Sequence, residues 1–248
     1  MTLTTEECLA AITEHSAGFA DACRGNLSAH VEHCPDWSVA DLVWHLSEVH
    51  WFWATIAEER LDAPPEESRR PVRPADEALL DAFEAGAARL VDVLRAADQF
   101  ATCWTWAPQQ QDVAFITRHQ VQEAAVHHWD AVHAAGGSLA IEPVVAADCV
   151  DEFLTFSVST EADPAEPPGQ PLEATFVLRA GDTRDAWTIA DGPLPGTVAV
   201  TRVGDDDAPT VTAPASDLLL WLYGRRTLES SRLPNGLEDR FRRLCFTD

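Results

Sequence analysis

The spacing of apolar residues changes character at Gly136-Gly137, and that change limits what the chain can fold into. Before it, apolar side chains recur every three or four residues over four long segments. After it, short alternating runs are separated by turn residues. The first segment runs from about Thr5 to Arg24, with Leu9, Ile12 and Phe19 on one side. The second starts at Ser38, an N-cap with Asp41 three residues on as its capping-box partner, and extends to about Arg60. Val39, Leu42, Val43, Leu46, Val49, Trp53 and Ile56 form its buried stripe. Pro64-Pro65 to Pro74 is a loop, and Asp76 to about Ala97 is a third helix. A Trp-rich connection (Trp104, Trp106, Pro108) leads to a fourth helix, about Phe115 to Ala135, which Gly136-Gly137 ends as a C′ glycine pair. Four such helices predict an antiparallel bundle over 1–137.

The rest, 141–248, reads as a smaller α+β domain with an antiparallel sheet. A helix from Val144 to about Ser159 precedes an acidic, Pro-rich loop, Glu161 to Pro171. Alternating runs follow at Glu173–Arg179, Ala186–Ile189, Thr197–Thr201 and Pro209–Thr212, with turns at Gly181-Asp182 and Gly204-Asp205. Ala215 to Tyr223 is an apolar helix and Leu237 to Cys245 a short last one.

Within the fourth helix, Gln122-Glu123-Ala124-Ala125-Val126-His127-His128-Trp129-Asp130 places a carboxylate and an imidazole one turn apart on one face. Alone, Glu123 and His127 also read as a solvated i,i+4 pair. His45, on the border of the second helix's apolar stripe, is a third donor able to point into the bundle. Two His and one Glu with a vacant fourth position form the ligand set of a catalytic zinc site. Asp130, three residues after His127, is placed to hydrogen-bond its other ring nitrogen, or else is a solvated carboxylate. His128 points about 100° away from His127, and His119, four before Glu123, is a spare ligand. His33 and His50 read as surface or cleft residues, and the tryptophans as packing, with Trp104 and Trp106 able to wall a pocket.

Seventeen basic against 41 acidic side chains give a net charge of −24, which argues against nucleic acid or an anionic membrane as partner. The N-terminus has no signal-peptide pattern and no apolar stretch reaches the roughly 20 residues a bilayer span needs, so a cytoplasmic location is expected. The six scattered cysteines are then free thiols.

Three stretches resemble one known family. They are Cys34-Pro35-Asp36-Trp37-Ser38-Val39-Ala40-Asp41-Leu42-Val43-Trp44-His45-Leu46, Arg118-His119-Gln120-Val121-Gln122-Glu123-Ala124-Ala125-Val126-His127-His128-Trp129-Asp130, and Ala215-Ser216-Asp217-Leu218-Leu219-Leu220-Trp221-Leu222-Tyr223-Gly224-Arg225. Together they make the chain similar to the mycothiol-dependent maleylpyruvate isomerases, whose N-terminal domain is a DinB-like four-helix bundle. The resemblance implies a divalent metal, usually zinc, on His45, Glu123 and His127. It also implies mycothiol as thiol cosubstrate, an actinobacterial-type cytosol, and Arg225 as a cation that grips an anionic substrate. Arg225 also reads as a surface residue at a helix C-terminus, and Arg226 as the neighbour that points inward instead.

These readings point to a zinc-dependent isomerase or thiol transferase acting on a small electrophile, as monomer or homodimer. The alternatives are a metal-dependent hydrolase, with Glu48 as its base, and a non-catalytic metal-binding regulatory module.

Overall fold

The computed structural model describes residues 2–159, 169–228, 233–234 and 236–246. Most of the acidic loop read from Glu161 to Pro171 lies outside the described residues. The chain divides into two compact units, Leu3–Ile141 and Glu142–Asp248 with Met1–Thr2. Among the described residues no helix is long and apolar enough to cross a membrane.

The first unit holds α1 (Thr5–Cys23), α2 (Val39–Glu59), α3 (Asp76–Ala96) and α4 (Val113–Ala134), with a 3₁₀ turn at Glu67–Arg69. Local chemistry sets their ends. The Thr4 hydroxyl accepts from the Glu7 N–H while the Glu7 carboxylate accepts from the Thr4 N–H. Ser38 and Asp41 make the same reciprocal box at the start of α2, with the Ser38 N–H donating to Asp41 Oδ2 at 2.9 Å. Helix α4 starts two residues earlier than its apolar spacing suggests because the Asp112 carboxylate caps the Phe115 N–H at 2.9 Å. It stops at Gly136, whose φ of 75° sets up paired bonds from Gly136 N–H to the His133 carbonyl and from Gly137 N–H to the Val132 carbonyl, each 2.8 Å.

Helix α1 packs on α4 and α3, and α2 packs on α3 and α4, so the order around the unit is α1-α4-α2-α3. The chain neighbours α1 and α2 therefore face each other across the diagonal. Their apolar stripes meet in a core of Phe19, Val31, Val39, Leu42, Val43, Leu46, Leu79 and Phe83, with the Phe19 and Phe83 rings 4.9 Å apart. Burying each such large side chain stabilises the fold by about 1.5–3 kcal/mol. This order places α2 directly against α4, the two helices that carry the candidate ligands.

The second unit holds α5 (Pro143–Phe156), β1 (Phe176–Ala180), β2 (Ala186–Asp191), β3 (Val198–Thr201), β4 (Thr210–Ala213), α6 (Ala215–Leu222) and α7 (Leu237–Arg242). The sheet order is β3-β2-β1-β4. β1/β2 and β2/β3 pair antiparallel, with Leu178 opposite Trp187 and Ile189 opposite Val200. β4 runs parallel to β1, with Leu178 opposite Val211, so the sheet is mixed where an all-antiparallel one was expected. The cause lies in the connection 202–209. It does not turn β4 back onto β3 but carries the chain past β2 to the far edge of β1. Trp187, Trp221, Phe153, Phe176 and Phe241 fill the core, and the Trp221 indole N–H donates to Glu238 Oε1 at 2.8 Å.

Candidate metal centre

Helix α2 presents His45 and helix α4 presents Glu123 and His127. One donor atom from each meets the others within 4.8 Å. His127 Nε2 lies 3.6 Å from Glu123 Oε2, and the His45 and His127 rings meet edge to face at 5.1 Å. His127 is 8% exposed, and His45 and Glu123 are half-buried.

Asp130 is buried, and its Oδ2 lies 3.1 Å from His127 Nδ1. With the Nδ1 proton donated to that carboxylate, the Nε2 lone pair faces the cluster. A lone pair and a carboxylate on neighbouring turns of one helix suit a shared cation, a proton or a metal ion alike. The donor set therefore fits a divalent ion on chemistry as well as on spacing.

The neighbouring groups complete the wall. Trp37, on the connection before α2, packs its ring on His45 at 4.9 Å. The sequence shows this contact only as an aromatic residue just outside the Ser38 cap, placed to lie over the first turns of α2.

His50 is not the surface or cleft residue its sequence suggests. It is fully buried and stacked on Phe83 at 5.4 Å. Burial above all, and to a lesser degree the neighbouring His127 and His45, push its pKa down to about 3, so the ring is neutral. The error has a plain source: His50 is four after Leu46, on the apolar side of α2.

His119 stands behind Glu123, Nε2 to Oε1 3.8 Å, and is not among the donors grouped within 4.8 Å. Its ring is enclosed by Trp53, Trp106 and Phe115 at 5.4–5.8 Å. Trp106 thus walls His119, and Trp104 stacks on Trp53 at 6.0 Å. His128 turns away as its helical position requires, its Nδ1 3.0 Å from that of His15 on α1. A groove of about 510 Å³ between α1 and α3 is lined by none of the trio.

The remaining sequence candidates are placed as follows. Glu48, the base named for the hydrolase alternative, forms an ion pair with Arg70 at 3.2 Å. In the second unit, Arg225 follows Gly224 (φ 71°) at the end of α6. Its guanidinium donates to the Tyr223 carbonyl at 2.9 Å and lies over the Tyr223 ring at 5.7 Å. Arg226 is exposed and paired with Asp217, so it is not the inward-pointing arginine.

Two family descriptions match this chain. The mycothiol maleylpyruvate isomerase N-terminal domain covers residues 8–132, and the MDMPI C-terminal domain covers residues 144–239. The chain belongs to the mycothiol maleylpyruvate isomerase family. The first family domain spans α1 to α4 and so includes all three candidate ligands. Among solved structures, the mycothiol-dependent maleylpyruvate isomerase shares the fold, with a TM-score of 0.61 at 15% identity over 94% of this chain and 98% of that one. A histidine-to-alanine variant of that enzyme gives a TM-score of 0.60 over the same coverage at the same identity. No curated protein sequence matches this chain.

Proposed function

We propose that this protein is a divalent-metal enzyme that uses mycothiol, or a thiol of that type, to attack a small electrophile, with isomerisation of maleylpyruvate as its leading reaction. The observation that carries the reading is the meeting of His45, Glu123 and His127 between α2 and α4. It occurs in a chain whose family is named for that reaction. Each of the three residues would give one donor to the ion. Zinc, when bound there, supplies positive charge that favours thiolate over thiol at its remaining vertex near neutral pH.

The chain's own residues do the rest. Asp130 holds the proton on His127 Nδ1, which fixes the tautomer and keeps Nε2 aimed at the cluster. Trp37 packs against His45 with the ring centres 4.9 Å apart, which steadies the imidazole. Burial pushes the Cys23 and Cys245 thiols up to about 12 and that of Cys103 up to about 11, so these three are poor nucleophiles near neutral pH. The reactive sulfur is assigned to a cosubstrate on the strength of the family.

A dicarboxylate substrate needs a cation in a chain of charge −24, and we assign that role to Arg225, whose guanidinium suits bidentate binding. Sulfur adds to the cis double bond, the new single bond rotates, and elimination restores the double bond as trans. The thiol is released unchanged, so atoms and electrons balance.

The test is an assay of zinc-loaded protein with mycothiol and a panel of electrophiles that includes maleylpyruvate, with calorimetric titration of mycothiol alongside. Thiol-dependent turnover lost in Glu123→Ala supports the reading. Neither heat from mycothiol nor any thiol-dependent product would overturn it.

A further inference from the structure

The same helix that carries Glu123 and His127 ends beside a second cluster of donors on the surface of the first unit. Glu32 and His33 lie on the connection between α1 and α2, and His133 lies in the last turn of α4. One donor atom from each falls within 4.8 Å of the others. His133 Nε2 is 2.7 Å from Glu32 Oε2, and the His33 and His133 rings stack at 5.9 Å. We propose that Glu32, His33 and His133 form a second metal site that takes a divalent transition-metal ion such as zinc, separate from the interior trio.

Three features argue for a built site beyond the coincidence of donors. First, His133 is held in place by Trp129 one turn earlier, stacked on it at 4.7 Å and 12°, and Trp129 also lies 5.7 Å from His33. Both imidazoles thus rest against one buried indole, which lowers the entropy lost on coordination. Second, His133 sits in the last turn of α4, and the negative end of a helix dipole favours a cation there. Third, the donor types are those zinc takes in sites with three protein ligands, two imidazoles and a carboxylate. Metal–ligand bonds of about 2.0–2.1 Å in a tetrahedron set donors about 3.3 Å apart. Glu32 is exposed and His33 and His133 are half-buried, so their side chains can adjust to that spacing.

An ion at this point would tie the α1–α2 connection to the end of α4, closing a loop from His33 to His133. The same connection carries Trp37 onto His45. The surface ion would therefore brace both elements that supply the interior donors.

Bound zinc, measured on the full chain after equilibrium dialysis, provides the test. His33→Ala and His133→Ala should each bind one equivalent less than the parent. The same deficit should persist in a His45→Ala background, where the interior trio is broken. Added zinc should also raise the thermal midpoint of His45→Ala protein but not of His45→Ala/His33→Ala protein. If His133→Ala does not fold, Glu32→Gln, at an exposed position, should weaken the same binding event. Equal zinc content in parent, His33→Ala and Glu32→Gln would overturn the proposal. Metal loss caused by His45→Ala alone bears on the interior site, so failures of the two readings are distinguishable.

Discussion

The residue most directly tied to the interior cluster without offering it a donor is Asp130. If its carboxylate fixes the His127 tautomer, Asp130→Asn should present an amide to Nδ1 and weaken zinc binding by about 10–100-fold, measured by competition with a chromophoric chelator. An unchanged affinity would make the carboxylate a packing group only. A second residue-scale consequence comes from the His15–His128 pair. Burial holds both rings near a pKa of about 4, with His15 charge adding to the effect on His128 and Glu14 and Asp21 opposing it. Their unfolded values lie near 6.5, so between about 4 and 6.5 the unfolded chain binds more protons than the folded one. Their contribution to stability is complete above about 6.5 and falls as the pH drops toward 4. Urea midpoints from pH 4 to 7, taken in excess chelator, should show this slope. His15→Gln, which keeps a hydrogen-bonding group without the titration, should flatten it. Gly18 makes the pair possible, because a Cβ there would sit 2.3 Å from His128 Cε1.

At the scale of elements, the Ser38–Asp41 box both starts α2 and fixes where His45 falls along it. Hydrogen bonds from Ser38 and from Arg73 push the Asp41 pKa down to about 2, so the box is intact at neutral pH. Ser38→Ala should cost about 1 kcal/mol in thermal or urea unfolding, and a loss within error would mean that packing alone sets the helix start. Much of this level is legible in the sequence, because caps and stops act within four residues. Ser38-Asp41, the Gly136 stop and the one-turn step from Glu123 to His127 are all local patterns. Features needing distant partners are not. The placement of β4 beside β1 depends on which edge the 202–209 connection reaches, and neither strand's pattern records it. The grouping of Glu32 and His33 with His133 joins segments a hundred residues apart. His50 differs for another reason: its residue type suggests exposure, while its position on the α2 stripe, four after Leu46, points inward.

For the molecule as a whole, the excess of 41 acidic over 17 basic side chains makes self-repulsion a standing cost of compactness. Screening lengths shrink from about 10 Å at 0.1 M salt to about 3 Å at 1 M. Sodium chloride should therefore raise the thermal midpoint steadily over that range, and a falling midpoint would show that surface ion pairs outweigh the repulsion. The arrangement of helices has a consequence for how the interior cluster comes into being. One donor emerges at position 45, and its two companions follow about eighty residues later on a helix that closes the ring of four. A ribosome making this chain must therefore release the whole bundle before any cation can be gripped from both sides. Any ion is then gripped only once the fourth helix has emerged, while the second unit is still to be made.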